Sequence, residues 1–358
     1  MPREDKPAAV LECLPMAWAE PEYSRTIVDR AGETYIDHSA SAEERELALA
    51  VINNWRSSHS FPLNTLQMNL RTRATNVDDD STIAQRIKRL PAIRQKLERF
   101  QGMKLSRMQD LGGCRAVLSS VDDVDELVRY YKTRSRIKHK LVREYPYIAE
   151  PQCSGYRGVH LVYSYFSDRT TTWNGLQIEM QIRSRLQHAW ATAVETVGTF
   201  TRQALKSSSG EKDWLRFFAL MSSAHALREG VPLVPNTPND PSKLLHELRE
   251  YTRKLDVIQR LTAYGQAMSF SEQVNISRRG DALLLELDTA AKELTVRSYP
   301  NALVAADAYN AIERAIENDP TKDAVLVTVE SLTSLRRAYP NYFLDTSAFI
   351  TSVREAIA

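Results

Sequence analysis

The stretch from Leu176 to Arg183 alternates strictly between apolar and polar side chains. A period of two sustained over this length predicts a half-buried β-strand, with one face in an apolar core. The other face carries Gln177, Glu179 and Gln181, followed by the guanidinium group of Arg183. A carboxylate beside a guanidinium suits a site that holds a divalent cation next to a phosphate. An ordinary solvated sheet face is the alternative interpretation.

Similar patterns predict the remaining elements of the chain. Residues 1–43 are predicted to be mostly irregular. Helices are predicted from the capping box Ser41–Glu44, from Pro62, over Thr82–Phe100, Asp122–Thr133, Leu186–Phe200, Asp213–Leu227, Leu244–Ala267 and Ala302–Glu317, and from Leu332 and Ser347. Further strands are predicted over Cys114–Leu118, Val159–Phe166, Ala282–Leu287, Leu294–Arg297 and Ala324–Val329. A linker or exposed loop is marked by Pro232, Pro235, Pro238 and Pro241.

Composition narrows the class of protein without identifying it. The chain has 358 residues, enough for more than one domain with a core of its own. Its net charge of +2 makes no case for nucleic acid. It contains no run of about 18 apolar residues and begins with charged residues, so neither a membrane span nor a secretory signal is expected. Cys13, Cys114 and Cys153 lack metal-ligand spacing, which favours a reducing cytoplasm and no zinc site.

Two segments concentrate positive charge. The predicted helix over Thr82–Phe100 has six cations within 14 residues, against Glu98 as their internal counter-charge. These cations are Arg86, Lys88, Arg89, Arg94, Lys96 and Arg99. A charged helix face is usually just solvated, but this density favours an anionic ligand. A second basic run, from Arg134 to Arg143, has the same two interpretations.

Three groups of chemically distinctive residues follow one another along the chain. They are Arg86-x-Lys88 with Lys96, then Asp110-Leu111-x-Gly113-x-Arg115, and then Gly155-Tyr156-Arg157-x-x-His160 followed by Glu179-x-Gln181-Ile182-Arg183. In order and spacing, roughly residues 45–225 resemble the synthetase domain of the RelA/SpoT family. The resemblance implies an α+β fold, in which a mixed β-sheet is flanked by helices. It also implies transfer of the β,γ-pyrophosphate of ATP to a ribose 3′-hydroxyl.

On the ATP side, the resemblance implies that Arg86 and Arg115 clasp the adenine and that Lys88 and Lys96 reach the phosphates. The sequence contains no G-x-x-x-x-G-K loop, so side chains must bind those phosphates. Transfer of an anionic pyrophosphate also requires fixed positive charge around it and a cation that bridges its oxygens. The implied roles agree with these requirements.

On the metal and acceptor side, the resemblance implies that Asp110 and Glu179 hold Mg²⁺. Glu179 would also activate the attacking hydroxyl, and Tyr156 would stack on the acceptor base. The motif around the phosphates would be completed by His160, Gln181 and Arg183.

The sequence departs from the family pattern near the acceptor. Gln152 follows Pro151 where the family usually has Lys, and Pro146 stands where Asp usually precedes the Tyr-Ile pair. Ala92 replaces a frequent serine. The loss of a cation and a carboxylate puts GDP or GTP as acceptor in question and leaves the ATP half intact. The chain has no His-Asp dyad, so the alarmone-hydrolase domain of the long family members is not expected.

Further segments narrow the resemblance to one group. Asn54–Leu63, Ser106–Asp110 and Gln187–Glu195 are typical of small single-chain relatives, and the tail adds Arg337–Phe343. Together they resemble CapRel, a group of fused toxin–antitoxins of phage defence. That resemblance implies a synthetase domain that pyrophosphorylates the 3′ CCA end of tRNA and so stops translation.

The same resemblance implies how the activity is controlled. A C-terminal domain, folded like a zinc finger without zinc, would restrain the synthetase through Tyr339 and Tyr342 until a phage capsid protein binds. Ordinary core packing is the alternative for this Tyr-x-x-Tyr motif.

The sequence predicts four segments and leaves three functions open. The segments are an irregular extension (1–43), a pyrophosphokinase domain (44–228), a linker with a connecting helix (229–279) and a small C-terminal α/β domain (280–358). The leading function is a cytoplasmic, self-inhibited, tRNA-modifying toxin that uses ATP and Mg²⁺. The alternatives are a small synthetase of guanosine alarmones that uses GDP or GTP, and a catalytically inactive nucleotide sensor.

Overall fold

A computed structural model describes most of the chain. The described residues are 18–201, 212–266, 269–273, 282–288, 290–291, 293–299, 302–316, 321–328 and 345–358, together with Asp319 and Phe343. The helices are α1 (Arg25–Ile36), α2 (Ala42–Ser58), α3 (Ser60–Val77), α4 (Leu90–Arg99), α5 (Val121–Arg129), α6 (Arg185–Thr201), α7 (Lys212–Glu229), α8 (Pro241–Lys254), α9 (Val257–Gln266), α10 (Ala302–Ile316) and α11 (Ser347–Ile357).

The strands form one mixed sheet. They are β1 (Thr82–Ile87), β2 (Gly112–Leu118), β3 (Lys140–Pro146), β4 (Val159–Ser164), β5 (Gln177–Ser184), β6 (Ser269–Gln273), β7 (Ala282–Asp288), β8 (Glu293–Tyr299) and β9 (Lys322–Thr328). Within the described residues their order is β3-β4-β5-β2-β1-β9-β7-β8-β6. β2 and β5 are parallel, whereas β1 pairs antiparallel with both β2 and β9. The predicted α+β class, a mixed sheet flanked by helices, is confirmed.

The strand predicted from the alternation at Leu176–Arg183 is confirmed as β5. Ile178, Met180 and Ile182 are fully buried, while Gln177, Glu179 and Gln181 are half-buried on the other face. The apolar face packs into a core shared with Leu66 and Leu70 of α3 and with Val124 and Leu127 of α5. This core supports the sheet from one side and leaves the polar face of β5 toward the candidate site.

The single basic helix predicted over Thr82–Phe100 is wrong. Residues Thr82–Ile87 form strand β1, and the helix begins only at Leu90. Pro91 lies in the first turn of α4, where its missing N–H costs nothing, but it would disrupt a helix interior. Arg86 therefore lies on a strand, and Lys88 lies in the short connection to α4.

The N-terminal region is more ordered than predicted. Residues Arg25–Ile36 form α1, and Ser24 caps it by accepting a hydrogen bond from the Ile27 N–H. Val28 and Tyr35 of this helix are buried in a core that includes Trp55. The capping box predicted at Ser41 and Glu44 is confirmed at the start of α2. The prediction that residues 1–43 are mostly irregular is therefore wrong for Arg25–Ile36.

Two further differences concern the middle of the chain. The predicted helix over Leu244–Ala267 is divided into α8 and α9, because Asp256 adopts a left-handed φ of 48° between them. Strand β3 was not predicted, since the alternating cations around Lys140 and Arg143 hide its apolar periodicity. β3 is an edge strand of the sheet in the described residues, and it places those cations at the surface.

The C-terminal segment contacts the rest of the described chain through the sheet and through α11. Val327 of β9 pairs with Arg86 of β1, which continues the sheet into the β7–β9 strands. Phe349 of α11 packs against Phe217 and Phe218 of α7. The predicted helix from Leu332 lies outside the described residues, as do Tyr339 and Tyr342. The four-segment division stays a prediction.

Among the residues that the structure describes, no helix combines the length and the apolar character needed to cross a membrane.

Candidate active site

The two predicted metal-binding carboxylates meet at one cleft in the sheet. β2 and β5 run parallel with Gly113 opposite Glu179, and Asp110 lies two residues before the start of β2. Seven of the ten residues predicted for catalysis and ATP binding line this cleft. They are Arg86, Lys88, Asp110, Arg115, Glu179, Gln181 and Arg183. The other three, Lys96, Tyr156 and His160, are hydrogen-bonded to members of this set.

Asp110 is held between two ammonium groups. Its Oδ2 lies 2.7 Å from Nζ of Lys88, and its Oδ1 lies 2.9 Å from Nζ of Lys96. Burial alone would raise the pKa of Asp110, but the two lysines outweigh it and lower the pKa to about 2. Burial lowers the pKa of Lys88, although Asp110 opposes this shift. The two lysines are therefore gathered at one place, where a bound polyphosphate could take over from Asp110 as their anionic partner.

The two predicted adenine-binding arginines come from neighbouring antiparallel strands. Arg86 of β1 lies opposite Gly113, and Arg115 of β2 lies opposite Ala84. Successive side chains of a strand alternate faces, so this register puts both arginines on the same face of the sheet. Both side chains line the cleft. Their role toward adenine stays a prediction.

Five side chains form a closed hydrogen-bonded ring next to Asp110. Nδ1 of His160 lies 2.9 Å from Glu179 Oε1, and Gln181 Nε2 donates to Glu179 Oε2 at 2.7 Å. Arg183 donates to Gln181 Oε1 at 2.6 Å and to the Tyr156 hydroxyl at 3.4 Å. The Tyr156 hydroxyl lies 2.6 Å from Nε2 of His160, which closes the ring.

The direction of the hydrogen bonds in this ring follows from its two charged members, Arg183 and Glu179. Arg183 can only donate and ionised Glu179 can only accept. Nδ1 of His160 must therefore carry the proton given to Glu179. Burial would raise the pKa of Glu179, but His160 and the Gln181 hydrogen bond outweigh burial and lower it. Glu179 is thus an ionised, oriented carboxylate.

Tyr156 does not provide the exposed stacking surface that the resemblance implies. Its side chain is 6% exposed and packs edge-on against Tyr147, His160 and Trp190. The guanidinium of Arg183 lies 5.7 Å from the centre of its ring. A tyrosine enclosed in this way has no open face for a base, so its hydroxyl rather than its ring faces the site.

Two other tyrosines are better placed to contact an acceptor base. Tyr145 and Tyr147 are half-buried at the end of β3, with ring centres 5.6 Å apart and planes 14° from parallel. Both rings meet His160 edge-on, and the Tyr145 hydroxyl donates to Gln109 next to Asp110. Sequence reasoning missed the pair, although two tyrosines at a spacing of two, Tyr145 on β3 and Tyr147 just beyond its end, were a usable signal.

Glu195 is another residue that sequence reasoning did not place in the site. It lies on α6 and lines the cleft. The sequence showed it only as part of the Gln187–Glu195 segment.

The turn that carries Tyr156 is fixed by buried contacts of its neighbours Arg157 and Gly155. Arg157 is buried and donates to the Ser222 hydroxyl and to the carbonyls of Ile148 and Pro232. Gly155 has φ +92°, and a Cβ there would lie 3.0 Å from both Ser222 and Trp190. Glycine therefore fits both the backbone conformation and the space at this position. Arg157 acts as an anchor for the turn, not as an exposed cation.

The carboxylates fit a magnesium ion that shares its ligands with a substrate. Mg²⁺ is usually bound by one or two carboxylates, with waters and substrate phosphates as its other ligands. Asp110 and Glu179 provide such a pair, and the charge of Asp110 opposes the net lowering of the pKa of Glu179, as a nearby anion should. No cluster of three or more His, Cys, Asp or Glu suited to a metal occurs in the described part of the chain. A magnesium ion here would take its remaining ligands from waters and substrate phosphates.

Comparison with known proteins covers the same residues. Residues 85–200 match the region found in RelA and SpoT proteins. This RelA/SpoT region includes all ten predicted catalytic and ATP-binding residues. Over 128 residues the chain is 31% identical to GTP pyrophosphokinase YjbM of Bacillus subtilis, which covers 34% of this chain. The chain spans 60% of the length of that relative.

Solved structures give a weaker likeness. Small alarmone synthetase 1 of Bacillus subtilis, bound to its product pppGpp, is 23% identical, with a TM-score of 0.41 over 48% of this chain and 89% of that chain. A GTP pyrophosphokinase family protein from Streptococcus pneumoniae is 20% identical, with a TM-score of 0.41 over 61% of this chain and 98% of that chain. Likeness at this level does not identify a substrate of this chain.

Proposed function

We propose that the protein is a pyrophosphokinase, which transfers the β,γ-pyrophosphate of ATP to the 3′-hydroxyl of a ribose. The observation that carries this proposal is the cleft where Asp110 and Glu179 lie beside Lys88 and Lys96. The matching RelA/SpoT region, residues 85–200, contains all four residues. The 31% identity to a GTP pyrophosphokinase also supports it.

Binding of ATP would redistribute the charges of the cleft. Lys88 and Lys96 would leave Asp110 and bind the phosphate oxygens, and Arg86 and Arg115 would hold the adenine. Asp110 and Glu179 would hold Mg²⁺, which when bound neutralises charge on the phosphate oxygens and aligns them for attack. The exchange keeps Asp110 paired with positive charge throughout.

Glu179 would take the proton of the attacking 3′-hydroxyl. The new bond forms between the 3′-oxygen and the β-phosphorus, while the bond from the β-phosphorus to the α-phosphate oxygen breaks and AMP leaves. His160 and Gln181 hold both oxygens of Glu179 in place, so the base is oriented before the substrate arrives.

A guanosine nucleotide is the acceptor that the comparisons favour. The relative at 31% identity is named a GTP pyrophosphokinase. Tyr145 and Tyr147 offer a parallel aromatic surface near His160 on which a purine could stack. GDP or GTP is therefore the first acceptor to test.

The 3′ end of tRNA is the second candidate, and the basic edge of the sheet favours it. Arg134, Arg136, Lys138, Lys140 and Arg143 are all exposed along the entry to β3 and on β3 itself. Such a row can bind a phosphate backbone. Restraint by Tyr339 and Tyr342 and release by a phage capsid protein rest on the CapRel resemblance alone, since both tyrosines lie outside the described residues.

Transfer of label tests the proposal directly. The protein is incubated with γ-labelled ATP and Mg²⁺, together with GDP, GTP or bulk tRNA, and the labelled product is identified. Labelled nucleotide would support the first acceptor and labelled tRNA the second. Glu179→Gln should reduce transfer by about 10²- to 10³-fold, the size of one electrostatic contribution of this kind. No labelled product with any acceptor, from folded protein that binds ATP, would refute the proposed activity.

A further inference from the structure

A buried ion pair joins the C-terminal segment to the N-terminal helices. Glu313 of α10 lies 2.9 Å from a guanidinium nitrogen of Arg56 on α2, and their side chains are 2% and 3% exposed. Tyr309 completes the group, because its hydroxyl donates to Glu313 Oε1 at 2.7 Å and its ring lies 5.6 Å from the Arg56 guanidinium. Two charges so fully removed from water are costly unless they are paired and hydrogen-bonded.

Glu313 also binds the start of helix α4. Its Oε1 accepts a hydrogen bond from the backbone N–H of Leu90 at 3.0 Å. Leu90 is the first residue of α4, where backbone N–H groups lack partners within the helix, and Arg89 at the N-cap position does not cap with its side chain. A carboxylate at this end is also favoured by the helix dipole. A residue 223 positions away in sequence therefore caps the helix that carries Lys96.

Arg56, the ion-pair partner of Glu313, also holds the backbone of Lys88. Its Nε donates to the backbone carbonyl of Lys88 at 2.9 Å, and another guanidinium nitrogen donates to Asn53 Oδ1 at 2.8 Å. The backbone N–H of Lys88 donates to the carbonyl of Leu111 at 2.8 Å. Both backbone groups of Lys88 are therefore fixed, one of them through an arginine whose counter-charge is Glu313.

A second, partly exposed ion pair holds the connection between β1 and α4. Arg89, directly after Lys88, is paired with Asp323 of β9. α10 and β9 thus contact the β1–α4 connection through two carboxylates, at Glu313 and Asp323. This connection and α4 carry the two lysines that bracket Asp110.

We propose that Glu313 is a positioning residue of the ATP site. Through Leu90 and Arg56 it fixes the β1–α4 connection, so that Lys88 and Lys96 face the phosphates. Helix α10 then contributes to ATP binding by holding the β1–α4 connection in place. This inference rests on the proposed function, since it concerns the lysines assigned to ATP.

The test compares Glu313→Gln with a matched control, Glu286→Gln. Glu286 also belongs to the C-terminal segment and forms an ion pair, at 3.0 Å with Arg297, but it does not contact the β1–α4 connection. Binding of an ATP analogue with a methylene bridge between the α- and β-phosphates is measured by calorimetry, and transfer is followed kinetically. We expect Glu313→Gln to weaken binding of the analogue and raise the KM for ATP about tenfold or more, with the acceptor KM unchanged. Glu286→Gln should match the wild type.

A second variant separates positioning from folding. Arg56→Met with Glu313→Leu replaces the buried pair by apolar side chains of similar size, which often preserves stability. This double variant leaves no unpaired charge, but it removes both the cap on Leu90 and the hold on the Lys88 carbonyl. It should fold and still bind the ATP analogue about tenfold more weakly.

The outcomes distinguish this inference from the proposed function. If wild-type protein binds the analogue but transfers nothing, the proposed function fails, and analogue binding by the variants still tests the role of Glu313. If the folded double variant binds the analogue as tightly as the wild type, Glu313 has no positioning role. Equal weakening of ATP and acceptor would likewise overturn it, because that result indicates general destabilisation.

Discussion

Nζ of Lys88 lies 2.7 Å from the carboxylate of Asp110. Since Lys96 neutralises the other carboxylate oxygen, both lysines assigned to ATP phosphates are occupied by an internal anion. ATP alone must displace this carboxylate, which would be left buried with fewer partners. In the proposed function, Mg²⁺ would replace the lysines as the partner of Asp110. Metal binding and release of the lysines would then be linked through this one carboxylate.

Asp110→Asn should remove this connection. The amide holds neither the lysines nor the metal strongly, so the ATP analogue should bind with similar affinity with and without Mg²⁺, whereas wild-type protein should require Mg²⁺ for tight binding. Transfer should fall about 10²- to 10³-fold. Calorimetric titration in Mg²⁺ and in EDTA measures the first effect. Asp168→Asn, which breaks the exposed Lys138 pair, is the control and should behave like wild type.

Retention of Mg²⁺-dependent binding by Asp110→Asn would contradict the exchange. The metal would then be held by Glu179 and phosphates without Asp110.

Tyr156→Phe should impair transfer although it keeps the ring. The hydroxyl bonds to His160 and receives a hydrogen bond from Arg183, and its loss leaves Nε2 of His160 without its partner at 2.6 Å. Loss of a buried hydrogen-bond partner costs about 1–3 kcal/mol, so kcat should fall about 5- to 150-fold. The acceptor KM should change little, because the ring is enclosed. Steady-state kinetics with each acceptor gives both values.

Tyr156→Ala should add a stability defect, since it opens a cavity beside Trp190. The expected cost is about 3–5 kcal/mol in the free energy of unfolding, measured by urea denaturation. Normal activity of Tyr156→Phe with a raised acceptor KM for Tyr156→Ala would instead restore the stacking role that the family resemblance implies.

Local patterns sufficed for the elements that carry the site. The alternation at Leu176–Arg183 specified β5 because a strand's side-chain period is a property of its backbone. This alternation and the motif around Asp110 together predicted Asp110, Gly113, Arg115, Glu179, Gln181 and Arg183, all of which line the cleft. The fold class was predicted from the resemblance to the RelA/SpoT synthetase domain.

Other features depend on contacts that no local pattern contains. The sequence alone places Thr82–Ile87 in a basic helix, because five of the six cations of that segment follow Ile87 and suggest one continuous charged face. Pairing with β2 instead makes Thr82–Ile87 a strand. Glu313 occupies an ordinary polar position in an amphipathic helix, and only the fold shows that it meets Arg56. The burial of Tyr156 likewise depends on Trp190, which comes from a distant helix.

Tyr147→Ala should weaken binding of the acceptor without affecting ATP. If the Tyr145–Tyr147 pair stacks on the acceptor base, removal of the outer ring costs about 1–3 kcal/mol, or about 5- to 150-fold in the acceptor KM. Phe166→Ala, which removes an exposed aromatic ring at the opposite end of β4, is the control. A rise in the KM for ATP of the same size would exclude a role confined to the acceptor.

The stability of the protein should fall in mild acid because of His225. This side chain is 3% exposed between α7 and α11, with Nε2 3.0 Å from the Ser352 hydroxyl and the ring edge-on to Phe349. Burial, and then the nearby Arg228 and Arg157, lower its pKa to about 3. In the unfolded chain the pKa is about 6.5.

The sign follows from proton binding in each state. Above about pH 6.5 the imidazole is neutral in both states and has no effect, whereas at lower pH only the unfolded chain takes up the proton. The free energy of unfolding should therefore fall by about 1.4 kcal/mol per pH unit from this residue, from about pH 6 until the folded pKa near 3 is reached. His59, buried with a pKa of about 4, adds a second contribution in the same direction.

His225→Gln isolates the contribution of His225, because glutamine can still bond to Ser352 but does not titrate. Urea unfolding at pH 7, 6, 5 and 4 should show a smaller loss of stability for the variant than for wild type, by about 1.4 kcal/mol per unit below pH 6. His246→Gln, at a histidine whose side chain is 73% exposed, should leave the wild-type slope unchanged. Equal slopes for wild type and His225→Gln would mean that the folded protein accepts the proton at His225. The contact between α7 and α11 would then tolerate a charge that its apolar surroundings should exclude.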